Sequence, residues 1–90
     1  LADDKTTGIP EHLLDGLRQY IDSGIPLGSF LEAVVSNDLR TALLTADPQS
    51  LTSLTAIVLF MARHAPAPCW GSAHAYRRWV RGGGLRGMAT

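Results

Sequence analysis

Three things are scarce in this chain of 90 residues: cysteine, which occurs once as Cys69; acids beyond position 47, of which there are none; and long apolar runs. A lone thiol closes no internal disulfide and makes no paired thiolate metal site, so nothing calls for an oxidising compartment. The longest uncharged run, Pro48 to Ala62, is broken by Gln49, Ser50, Thr52, Ser53 and Thr55 and is too short to cross a bilayer. The opening, Leu1-Ala2-Asp3-Asp4-Lys5, is acidic and has no apolar signal core. A cytoplasmic protein with no membrane partner is the expectation.

The missing acids polarise the chain. Eight carboxylates against Lys5, Arg18 and Arg40 leave residues 1–47 at −5, while Arg63, Arg77, Arg78, Arg81 and Arg86 give residues 48–90 a charge of +5. The whole is neutral, which describes a dipolar molecule better than a nucleic-acid module with a strongly basic surface. With 46% hydrophobic and 18% charged residues the chain is apolar enough to fold, and its length allows one core and little room for an enclosed substrate site. Its work is expected at the surface.

Periodicity predicts an all-α fold, a compact bundle of four to five short helices. Ile9, Leu13, Leu14, Leu17 and Ile21 recur at helical spacing behind Pro10, giving a first helix over 10–22 that Gly24 caps and Pro26 ends. Ser29 with Glu32 reads as a capping box, starting a second helix with Phe30, Leu31, Val34 and Val35 as its stripe. The stripe runs on in phase to Ala46, but Ser36-Asn37-Asp38 favours caps over helix interior and predicts a break near Asn37.

Asp47-Pro48 opens a helix over 48–64 whose apolar stripe is Leu51, Leu54, Ile57, Val58, Met61 and Ala65. Pro66 and Pro68 end it. Ser72 caps a last helix over 73–81, carrying Ala73, Tyr76 and Val80 on one side with Trp79 beside them. Residues 1–8 are expected to be a flexible segment, 9–81 the domain, and 82–90, beginning Gly82-Gly83-Gly84, a flexible tail.

Catalytic groups do not gather in the sequence. His12, His64 and His74 lie on different helices or their ends without ligand spacing, and Cys69 sits among prolines with no oxyanion motif beside it. No enzyme, metal or cofactor is expected. The glycine triplet closes a helix instead of opening one after a strand, so it is no phosphate loop. Residues 30–46 have the outline of a helix-turn-helix, yet the second helix holds one arginine and little else that reads bases.

What remains is binding. Trp70, ahead of the last cap, is the candidate interface anchor, whereas Trp79 is expected in the core. Arg77, Arg78 and Arg81 are candidate contacts to a partner or to phosphates, and Asn37 and Asp38 are a polar pair presented at a helix joint.

Ile9-Pro10, Gly24-Ile25-Pro26, Gly28, Phe30-Leu31, Ala33-Val34, Asn37-Asp38-Leu39, Ala46-Asp47, Ala65-Pro66, Cys69-Trp70-Gly71-Ser72 and Trp79 together resemble a family of small proteins carried by tailed phages and prophages. The likeness spans about residues 9–80 and is most specific at Asn-Asp-Leu and Cys-Trp-Gly-Ser. It implies a phage-related origin in a bacterial cytoplasm and carries no residue role with it. The arginine-rich end falls outside the pattern. The resulting expectation is a non-enzymatic accessory protein that binds a bacterial protein through its helical surface, as a modulator or inhibitor. The alternatives are nucleic-acid binding through the arginine-rich last helix and tail, and ionic self-association of the acidic half of one copy with the basic half of another.

Overall fold

Each helix begins and ends where side-chain chemistry satisfies its unpaired backbone groups. The structure, a computed structural model, describes residues 8–88 and builds α1 (Glu11–Ser23), α2 (Ser29–Val35), α3 (Leu39–Thr45), α4 (Pro48–His64), a 3₁₀ turn (Ala67–Cys69), α5 (Ala73–Gly82) and α6 (Gly84–Met88). The described residues contain no strand, so the chain is all-helical, with six helices where four to five were expected. No helix among them is long and apolar enough to cross a membrane.

The caps at Asp47 and Ser72 form as the sequence predicts. Asp47 accepts from the Ser50 amide at 2.7 Å and Ser72 from the Ala75 amide at 3.0 Å. The joint at 36–38 is also real. Asn37 takes a left-handed φ of 61°, the Asn37 amide donates to Val34 O and the Asp38 amide to Ala33 O, which closes α2 in a Schellman arrangement. Asp38 then caps α3 by accepting from the Thr41 amide at 3.2 Å.

The capping box expected at Ser29 does not form. Gly28 is the N-cap, without a side-chain bond, and Ser29 is already the first helical residue. An extended Gly28 satisfies the entry geometry one residue earlier, just after Leu27 is tethered through its amide to the Tyr76 hydroxyl at 3.2 Å.

Within the expected tail, Gly84–Met88 form helix α6, which lies against α1. Gly24 and Gly84 make this possible. Both have left-handed φ, +70° and +69°, and a Cβ on Gly84 would stand 2.5 Å from the Gly24 nitrogen. Only a bare backbone fits there. Leu1 to Thr7 of the expected N-terminal segment, and Ala89 and Thr90 of the tail, lie outside the described residues.

The core joins Leu17, Tyr20 and Ile21 of α1, the buried face of α2, Ala42, the inner side of α4, Cys69 and Trp79. Its polar centre is tied off. The Tyr20 hydroxyl donates to Cys69 O at 2.5 Å, the Trp79 indole donates to Tyr20 O at 2.8 Å, and the Tyr20 and Tyr76 rings stack with centroids 5.5 Å apart. No buried side-chain nitrogen or oxygen among the described residues is left unpaired. The molecule measures 38 × 33 × 19 Å between Cα extremes, about two helix layers at its thinnest.

Candidate functional site

The strongest apolar arc of α4 is not the arc the fold buries. Of the predicted stripe, Ile57 and Met61 are buried and Leu54 and Ala65 are partly covered, but Leu51 is 48% and Val58 39% exposed, while Ser50 and Ser53 face the core. Ser53 is tolerated there because its hydroxyl donates back to Gln49 O at 2.9 Å. Of this displaced edge, Val58 faces α3 and Trp70 together with Leu54.

There it forms a groove. Val34, Leu39, Ala42, Leu54, Val58 and Trp70 line a cleft of about 130 Å³, with Asn37 and Asp38 at its polar rim. Leu39 is 62% exposed, and Leu43, one turn further along the same face of α3, is 47% exposed. Trp70 is held in position by its successor, since the Gly71 amide donates to Val35 O at the end of α2 at 2.7 Å. The cleft is comparable to an apolar cavity of roughly 150 Å³, large enough for benzene. That is room for one leucine, methionine or phenylalanine side chain.

Asp38 gives this rim a fixed negative charge. Its carboxyl is held below the ordinary 3.8 by hydrogen bonding at Thr41, with Arg40 adding a smaller attraction. The next cleft over, about 360 Å³ between α2 and α3, includes Glu32 and the other side of Asp38. The groove is thus an apolar slot with an acidic shoulder. Known protein families, curated proteins and solved structures provide no match to the chain.

Three of the predicted site residues, Trp70, Asn37 and Asp38, therefore come together. The other three do not join them. Arg77, Arg78 and Arg81 lie exposed on the outer side of α5, and none has an ion-pair partner among the described residues. Arg78 and His74, one turn apart, border a separate cleft of about 530 Å³ with Pro68, Trp79 and Gly84. Trp79 itself is buried, as expected.

The three histidines do not gather, and no group of three His, Cys, Asp or Glu among the described residues could hold a metal ion. Cys69 is fully buried, which pushes its thiol up to about 11, so it is protonated at neutral pH and a poor nucleophile. Leu39 is a groove residue that sequence reading missed. The signal was present, because α3 carries more leucine than a seven-residue helix with one inward face can bury.

Proposed function

We propose that this chain is a non-enzymatic accessory protein of phage or prophage origin that binds a bacterial protein, using the α3–α4 groove to take an apolar side chain from a partner helix. The observation that carries this reading is the groove itself: an exposed cleft of about 130 Å³ walled by Leu39, Leu54, Val58 and Trp70. A partly buried indole beside leucines is the composition of a binding hot spot, where a few anchors dominate affinity. The acidic shoulder selects among partners. Asp38 and Glu32 favour an amphipathic helix with Lys or Arg beside its apolar anchor, as in other helix-in-groove complexes. The compact bundle serves as a rigid frame, and occupation of a cytoplasmic partner's surface would modulate or inhibit it.

Leu39→Asp and Trp70→Ala test this. Both alter exposed or half-exposed side chains, so helicity should persist. A protein captured from bacterial lysate by the parent chain should be lost by both variants and kept by a variant with Arg77, Arg78 and Arg81 replaced by Ser. Capture unaffected by both groove variants would overturn the reading.

A second reading rests on the outer arc of α5, where Arg77, Arg78 and Arg81 have no ion-pair partner among the described residues and the helix holds no acid. Such an arc suits nucleic-acid phosphates, and retention would then fall steeply with salt and vanish in the triple Ser variant.

A further inference from the structure

α4 presents a second feature that the groove does not use. From Pro48 to Ala62 it carries no charge, yet Leu51, Thr55, Leu59 and Ala62 recur along its solvent side at spacings of three and four, all exposed. Leu51 is 48% and Leu59 45% exposed. Its inward side buries Ile57, Phe60 and Met61 beside Ser50 and Ser53. A surface helix with one core face normally carries charge on the other, and two exposed leucines on an uncharged ridge mark a side suited to contact. It is also the longest helix among the described residues.

We propose that a second copy of this chain covers that side, the two α4 helices lying antiparallel about a two-fold axis at Thr55. The charge pattern selects this occupant. In a two-fold contact a patch meets itself, so a patch of one sign repels its copy, and this ridge has no sign. Its ends are opposite instead: Asp47 caps the first turn, and Arg63 lies in the last.

Antiparallel packing sets Asp47 of each copy near Arg63 of the other and opposes the helix dipoles, whereas parallel packing would put like charges together. Thr55 is midway between Asp47 and Arg63 in the sequence, and likewise between Leu51 and Leu59. One axis at Thr55 therefore matches both the charges and the leucines. Thr55 and Ala62 are small enough to let the helices approach to the usual 8–10 Å.

The contact is one helix pair of about 25 Å, at the small end of specific interfaces, so the dimer dissociates on dilution. It leaves Trp70 and Leu39 free and stands independently of the groove's proposed role. It also differs from ionic pairing of the two half-chains, since its centre is uncharged and persists in salt.

Sedimentation of the full chain from micromolar to millimolar concentration tests the proposal. The expected mass rises toward twice 9.7 kDa and does so in molar salt as well. Leu59→Glu should hold the mass at the monomer value with helicity unchanged, and Trp70→Ala should leave the dimer intact. Thr55→Cys, placed on the axis, should be locked as a disulfide dimer by mild oxidant, whereas Thr41→Cys on α3 should not. A monomer mass at every concentration would overturn the proposal. So would a dimer that salt dissolves, or one that Cys at 41 locks and Cys at 55 does not. If Leu59→Glu fails to fold, the cysteine pair still decides.

Discussion

The two tryptophans stand in regions built by opposite rules. Around Trp79, every polar group meets a partner from a distant part of the chain: its indole caps the Tyr20 carbonyl across 59 positions, and the Tyr20 hydroxyl reaches Cys69 O across 49. Around Trp70, apart from the Gly71 amide on Val35 O, the fixed groups are local. Asp38 and Asp47 cap their own helices, and leucines that could have been covered are left in water. The first region holds the fold together and the second is available to bind. A sealed side and an open side are thereby separated within a chain only two helix layers thick.

That contrast predicts unequal sensitivity. Trp79→Ala opens a cavity in the sealed region and strips the cap from α1, and it should cost about 3–5 kcal/mol, a large part of what a domain of this size has. Gly84→Ala belongs with it, because its methyl would press on the Gly24 and Ser23 backbone with nothing flexible to yield. Trp70→Ala, on the open side, should cost far less. Denaturant melts of the three variants check this, and equal losses at Trp70 and Trp79 would break the distinction.

A smaller change probes the same seam. Tyr20→Phe keeps the ring that stacks on Tyr76 but leaves the buried Cys69 carbonyl without its donor, for a loss of about 1–3 kcal/mol. The variant should keep its helicity. Because burial holds Cys69 protonated up to about 11, and the Tyr20 hydroxyl beyond the ordinary alkaline range, the parent's sealed side is insensitive to pH near neutrality.

How far the sequence revealed this division follows from the range of each interaction. Asp47-Pro48, Ser72 and the joint at Asn37 were readable because a cap is decided within four residues, and Gly24 because a left-handed helix end favours glycine. The Gly24–Gly84 contact was invisible, since 60 positions separate the partners and a glycine triplet looks like a linker until something packs on it. The groove was half legible. Trp70, Asn37 and Asp38 stood out by residue type, but Leu39 was indistinguishable from a core leucine. The α4 stripe is apolar as read but only partly buried, Leu51 and Val58 staying exposed, because the amphipathic period says which side is apolar and not which neighbour arrives to cover it.

The least disruptive way to sharpen the comparison is acid. Hydrogen bonding at Thr41 and at Ser50 lowers the carboxyls of Asp38 and Asp47 below their ordinary 3.8. The folded state thus prefers them charged, and their contribution is present above that value and lost as pH falls through the lowered one. No such group belongs to the Trp79 seam, so α3 and the start of α4 should loosen first. Trp70 emission should shift to the red at a higher pH than Trp79 emission, the latter followed in Trp70→Phe. Asp38→Asn with Asp47→Asn keeps an acceptor at each cap but removes the titration, and it should bring the two transitions together. Coincident transitions in the parent chain would mean that the open side is not independently held by its caps.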